Sequence, residues 1–217
     1  MLSSPQRPEI NHRTMKLIVG VIALSLASVT SLLAKISLRS ISESYYDTGN
    51  WSRNILVGCL FAISAFMFAY NGYSTVQMVL SKIAASAALG IGLFRCKCDD
   101  ASHTEIIPHV HSVSAAVMFG ILAFFCYIFY QRAINKVHSQ AKSRAVIYAL
   151  CGLTIVASIL ILALDNLLGG IIKAKIGPRL TFYGEEAALV AFGVSWLTAS
   201  HCLPVITDKT ERFSPFS

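Results

Sequence analysis

Charge is what this chain has least of. Asp, Glu, Lys and Arg make up only 13% of its 217 residues, against about 25% in an ordinary soluble domain. No polar stretch is long enough to form an independent soluble unit with its own core. The signatures of familiar enzymes are missing too: there is no glycine-rich nucleotide loop, no nucleophile elbow and no zincin helix. Internal repeats and low-complexity tracts are also absent. The net charge of +7 does not point to nucleic acid, because Lys and Arg are scattered among short connections instead of forming one stripe interleaved with aromatics. What fills the chain instead is apolar, 55% of all residues, more than a soluble core of this size can hide.

The apolar residues fall into six stretches, 15–34, 52–70, 76–94, 107–130, 145–168 and 181–200. A helix rises 1.5 Å per residue and needs roughly 20 residues to cross a hydrocarbon core about 30 Å thick. The expected fold is therefore all-α, a polytopic membrane bundle of six transmembrane helices. It comprises a cytoplasmic segment 1–14, a membrane domain 15–200 and a cytoplasmic tail 201–217. The first stretch follows Arg7, Arg13 and Lys16 as a secretory signal would, but it is longer than a signal core, and Leu32 with Ala34 makes a poor small-x-small cleavage site. It is read as a span.

Basic residues orient the bundle. With the N-terminus inside, the inner side collects Arg7, Arg13, Lys16, Arg132, Lys136, Lys142, Arg144, Lys209 and Arg212. The outer side collects Lys35, Arg39, Arg53, Arg95, Lys97, Lys173, Lys175 and Arg179. The deciding loop is 131–144, which has four bases and no acid between two spans, whereas the outer loops mix both signs. Both termini are expected in the cytoplasm. Tyr70, Tyr73, Tyr127, Tyr130 and Tyr148 at inner ends, with Tyr45, Tyr46, Trp51 and Tyr183 at outer ends, read as interfacial anchors. Ala84, Ala88 and Gly92 share one face of the third span, and small residues at that spacing let helix backbones approach. That span is expected at the centre of the bundle, with the sixth, carrying Gly184 and Ala188, also packed inward.

The chemistry-bearing residues gather at the expected outer mouth: Glu43, Asp47, Asp99, Asp100, His103, Glu105, His109, His111, Asp165, Glu185 and Glu186. Ionisable groups at membrane depth are costly, and those facing the bundle interior are functional candidates. His111 and Ser114 sit at i, i+3 on one face below that surface. Asp165, in the last turn of its helix, calls for a cationic or hydrogen-bonding partner, Lys173 or Lys175. Lys82 is expected to snorkel to the inner interface. The run from Cys96 to His111 holds two thiols, three imidazoles and three carboxylates, donors that suit zinc. His103, His109 and His111 are the candidate metal ligands, although His109 and His111 point about 200° apart on a regular helix and meet one ion only if the helix starts between them. Pro108 favours such a start. A capped helix start beside a polar loop explains the same run without a metal. Cys96 and Cys98 are too close in sequence to bridge without strain and suggest no disulfide framework.

Ser40-Ile-Ser-Glu43, His111-Ser-Val-Ser114-Ala-Ala and Glu185 followed by Ala191-Phe-Gly-Val-Ser-Trp196 resemble a bacterial group of six-span membrane proteins of uncharacterised activity, distantly similar to the Frag1/DRAM/Sfk1 proteins. The resemblance implies a helical bundle, in a bacterial inner membrane, and no particular reaction. A fainter similarity is to the membrane hydrolases that include alkaline ceramidases and progestin/adipoQ receptors, which hold zinc with three His beside a Ser and an Asp; here no His pair follows in a last span. The preferred expectation is an outer-facing polar pocket lined by Glu43, Asp47, His111, Ser114 and Glu185 that binds a lipid head group or small polar ligand. Two alternatives stand beside it, a zinc-dependent intramembrane lipid amidase or esterase and a small-solute or proton-coupled transporter. The expected partners are membrane lipid and, beyond it, a second copy or another membrane protein.

Overall fold

The computed structural model describes residues 11–98, 107–208 and 210–212. Seven α-helices form in chain order: α1 His12–Leu33, α2 Trp51–Ala69, α3 Thr75–Leu93, α4 Val110–Ile134, α5 Ser139–Leu167, the short α6 Ile171–Ile176, and α7 Leu180–Ala199. Among the described residues there are no strands. Helix starts follow local chemistry. Asn11 Oδ1 accepts from Arg13 N at 2.9 Å to cap α1, and Ser74 Oγ accepts from Gln77 N at 3.3 Å to cap α3, satisfying backbone donors that a helix leaves free at its N-terminus. Between α2 and α3 the chain reverses at Gly72, φ +63°, where a Cβ would lie 2.5 Å from Gln77 Cβ.

Five helices, α1 to α5, are long and apolar enough to cross a membrane, which marks an integral membrane protein. The sixth expected span is a helix in the expected place, α7, but it does not reach the same apolarity, because Glu185 and Glu186 lie in its second turn. The most apolar of the five, α5, is also the least buried. Leu150, Leu153, Leu160, Leu164 and Leu167 stand exposed along it. Such an inversion is costly in water and favourable in lipid.

Successive long helices are neighbours: α1 packs on α2, α2 on α3, α3 on α4, α4 on α5 and α5 on α7, and α7 closes the ring on α1 while also touching α4. This corrects the expectation for α3. Its small residues are buried, Ala84 at 2% and Ala88 at 0% exposure, but they serve contacts to α2 and α4 on the ring, and α7 is the helix that reaches inward. Where α1 crosses α7, Gly20 faces Gly193 so closely that a Cβ on Gly193 would lie 2.9 Å from Gly20 O and 2.6 Å from Leu24 Cγ. Lipid offers apolar helices no preference for one another, so close backbone approach of this kind supplies the packing term.

The interior is aromatic toward the inner end. Trp196 sits at ring-centroid distances of 5.3 Å from Phe192, 5.4 Å from Tyr70 and 5.7 Å from Phe125, each pair worth about 0.5–1.5 kcal/mol beyond burial. Tyr70 is fully buried in this cluster and Tyr148 nearly so, so neither is the interfacial anchor expected of it. Tyr73, Tyr127, Trp51 and Tyr183 are exposed, as anchors should be. The end that carries the α1–α2 connection is termed outer below, and the opposite end inner.

Candidate functional site

The 34–50 connection does not lie on the surface as a loop. It folds into the outer end of the bundle through a 3-10 turn, Ser42–Tyr46, and buries Leu38, Ile41, Ser44 and Tyr45. A buried irregular segment has backbone donors that no helix satisfies, and the carboxylates are what satisfy them. Glu43 Oε2 accepts from Arg39 N at 2.5 Å, Glu185 Oε2 from Ile41 N at 2.5 Å and Asp47 Oδ1 from Lys35 N at 2.9 Å. Arg179 Nε donates to Leu38 O at 3.1 Å and Phe182 N to Arg39 O at 2.9 Å, tying the same segment to the start of α7. Tyr45 donates its hydroxyl to Ile91 O at 2.6 Å, in the last turn of α3, and Tyr46 to Cys96 O at 2.7 Å, beyond its end. Burial pushes the Tyr45 phenol upward, against the charge of Arg95, so it stays a donor.

His111 completes this framework. Its Nδ1 lies 2.7 Å from Phe94 O and its Nε2 3.0 Å from Ser42 Oγ. A carbonyl only accepts, so Nδ1 donates to Phe94 O, and Nε2 shares a hydrogen bond with the Ser42 hydroxyl. Helix α4 does begin between His109 and His111, with His109 at the left-handed N-cap, φ 65°. His109 is exposed while His111 is buried.

The predicted site is therefore only partly assembled. Glu43, Asp47, His111 and Glu185 converge on the inserted connection, but mainly as its fasteners. Ser114 lies apart, its Oγ against Gly90 where α3 meets α4, so close that a Cβ on Gly90 would collide with it. His103, Asp99, Asp100 and Glu105 lie outside the described residues. Among the described residues no three His, Cys, Asp or Glu side chains are grouped as a metal ion requires, and the ring nitrogens of His111 already face Phe94 O and Ser42 Oγ.

One further expectation changes and two acquire named partners. Cys96 and Cys98 are joined as a disulfide, with Cα atoms 5.3 Å apart, a bent separation within the range a bridge accepts. Asp165 finds its partner at Lys173, but at the backbone, with Oδ1 accepting from Lys173 N at 2.8 Å, because the Gly169-Gly170 turn folds the start of α6 back over the end of α5. Lys82 Nζ donates to Phe68 O and to Asn71 Oδ1, satisfying the carbonyl end of α2 toward the inner interface.

One cavity flanks this framework and another lies at the far end of the bundle. The outer one, about 460 Å³, opens between α4, α5 and α7. Ser42, Lys97, His111, Ser112, Asn166 and Glu185 make its polar mouth, and Ala115, Ala116, Phe119, Ile159 and Leu162 its apolar wall. Of the five residues expected to line a pocket, His111 and Glu185 do so. The other, about 520 Å³, lies at the inner end under the C-terminal tail. Its basic lining had one sequence signal, the unbalanced 131–144 loop; the tail residue Glu211 that closes on it had none. No family model, no curated protein sequence and no solved structure matches this chain.

Proposed function

We propose that the protein is a six-span lipid-binding membrane protein, with α7 as the sixth span, both termini cytoplasmic, and an outer groove that seats a lipid head group or a small polar ligand. The observation that carries this reading is the groove's division into a polar mouth and an apolar wall between α4, α5 and α7. Lipid is the molecule whose two halves match such a lining, and sites of this kind occur between helices of bundles. The glutamates of α7 then sit at the membrane surface, where Glu185 is hydrogen-bonded and costs less than a bare charge. Orientation draws support from two features. The Cys96–Cys98 bridge belongs to an oxidising compartment, and the basic inner end belongs on the cytoplasmic side. Residence in a bacterial inner membrane follows the resemblance to the six-span group distantly similar to the Frag1/DRAM/Sfk1 proteins. Neither alternative has an observation that favours it: the described residues group no metal ligands for a hydrolase, and nothing in them points to transport.

The test is a block of the groove that leaves its hydrogen bonds intact. Ala116→Trp fills the wall from the exposed face of α4. Purified protein titrated with dihexanoyl phosphatidylethanolamine should gain thermal stability, by the linkage between binding and unfolding, and Ala116→Trp should lose that gain at unchanged basal stability. An equal gain in both proteins rejects the groove as the site.

A further inference from the structure

The inner cavity is the least balanced place in the molecule. Arg13, Lys16, Arg132, Lys136 and Arg144 line it with a single carboxylate, Glu211, which leaves four positive charges in excess. Glu211 is already engaged: it pairs with Lys136 and, at 2.7 Å, with Arg144 Nη2, while its backbone oxygen accepts from Arg13 Nη1 at 3.0 Å. Arg144 also donates to Ile206 O at 3.1 Å, so the tail is fastened as a flap over one side of the cavity. Arg132 has no carboxylate partner among the described residues and lies with its guanidinium 4.8 Å from the Tyr73 ring.

Lys16 is the deciding residue. It is 3% exposed, it lines the cavity, and among the described residues no hydrogen-bond acceptor or carboxylate takes its ammonium. Its Nζ lies over rings, Tyr73 and Phe129 at 5.1 Å and Tyr70 at 5.6 Å from centroid to Nζ, with the cations Arg13 and Arg132 in the same cavity. Desolvating an ammonium costs several kcal/mol unless an anion repays it; a desolvated cation–π contact returns about 2 kcal/mol or more but brings no opposite charge. Rings around a buried cation hold it in place without neutralising it. An anion with several acceptor oxygens is the chemistry that complements this lining.

We propose that the inner cavity is a binding site for a phosphate group, held between Lys16 and Arg132 with Arg13 and Lys136 at its rim. A phosphomonoester carries about −1.5 to −2 charges and three acceptor oxygens. It therefore answers both the charge excess and the donor count better than one carboxylate, and the planar fork of Arg132 suits its oxygens. Basic pockets between helices on the cytoplasmic side of a membrane are where phospholipid head groups are held, and free phosphate presents the same oxygens. This site stands independently of the outer groove, at the other end of the bundle and with different residues.

The test uses the full chain in neutral detergent, titrated separately with inorganic phosphate, dihexanoyl phosphatidic acid and dihexanoyl phosphatidylcholine, and followed by thermal unfolding. Lys16→Met keeps the packing under the rings and removes the charge. It should leave basal stability equal or higher, since it removes an unpaired buried cation, and should weaken phosphate binding by about tenfold or more, the usual worth of one charge-assisted hydrogen bond. Arg132→Gln, on a half-buried position, should weaken it likewise and serves if the first variant folds poorly. Stabilisation by inorganic phosphate that both variants lose assigns a free phosphate ligand. Stabilisation by phosphatidic acid alone, lost in the same variants, assigns the lipid. Absence of any phosphate-dependent shift, or a shift equal in wild type and variants, overturns the proposal. Because Ala116→Trp leaves this cavity untouched, failure here and failure of the outer groove are read separately.

Discussion

Replacing Gly193 with alanine tests the crossing of α1 and α7 on which both ends of the bundle depend. A new Cβ there would meet Leu24 Cγ at 2.6 Å, Gly20 O at 2.9 Å and Leu24 N at 3.0 Å. Two of those three atoms are backbone, so relief requires the helices to separate. Overpacking of this kind costs about 1–3 kcal/mol, partly offset by the gain of about 1 kcal/mol that alanine brings over glycine inside a helix. The net expectation is a loss of up to about 2 kcal/mol, or up to roughly 8 °C in Tm at about 2–4 °C per kcal/mol for a chain of this size, and a deficit of about 1–3 kcal/mol against a glycine-to-alanine change that meets no clash. Gly58→Ala and Gly120→Ala are the controls. Both glycines lie inside helices with nothing within 4 Å of an added Cβ, so both should be neutral or stabilising. Gly20→Ala, whose Cβ meets Gly193 O and Leu197 N at 3.0 Å, should fall between. Thermal unfolding of the four variants in one detergent orders them. Gly193→Ala as stable as Gly58→Ala would refute the glycine crossing and the placement of α7 against α1.

The tail at the inner end should loosen in acid. Burial and the charge of Arg144 push His201 down to about 4, and although burial alone would raise Glu211, hydrogen bonds from Lys136 and Arg144 hold it at about 2. Both groups bind protons more weakly folded than unfolded. Their contribution is therefore complete above the ordinary values of 6.5 and 4.5, and it is lost as pH falls from 6.5 toward 4 for His201 and from 4.5 toward 2 for Glu211. Amide hydrogen exchange over residues 201–212, corrected for its intrinsic pH dependence, should show protection falling between pH 7 and pH 4; constant protection contradicts the coupling. At the outer end, alkylation of unfolded, unreduced protein should label the four free cysteines Cys59, Cys126, Cys151 and Cys202, and two further sites should appear only after reduction. Six labels without reductant would show Cys96 and Cys98 to be free.

The spans were legible because lipid demands a simple thing of sequence, an uninterrupted apolar run of fixed length. Helix ends were less so. Helix α5 begins at Ser139, six residues before the apolar run at 145, because Ser139–Arg144 continues as helix out of the apolar region, where hydropathy carries no signal. Asn11 starts α1 at His12 for a similar reason, a cap that acts on polar residues. Tyr70 read as an anchor because a phenol near a span end usually is one; only the position of Trp196 and Phe125 beside it makes that ring interior.

At the site, residue type was legible and purpose was not. Glu43, Asp47 and Glu185 were recognisable as ionisable groups at the mouth of a bundle, but what they face is the backbone of an inserted connection, and sequence does not show where a loop's N–H groups go. The two ends of the molecule consequently treat charge in opposite ways. At the outer end each of these carboxylates accepts from a donor on the protein itself, so their network holds the 34–50 connection in place, and a ligand is left the groove beside it. At the inner end Lys16 and Arg132 meet rings where an acceptor is needed, while Glu211 is spent on Lys136 and Arg144. Carboxylates that accept from the backbone fix structure, and an ammonium or guanidinium that meets rings in place of acceptors keeps its electrostatic demand in a low-dielectric setting. That difference, invisible in a count of nine bases against eight, makes the inner cavity the stronger anion site although the sequence drew attention to the outer mouth.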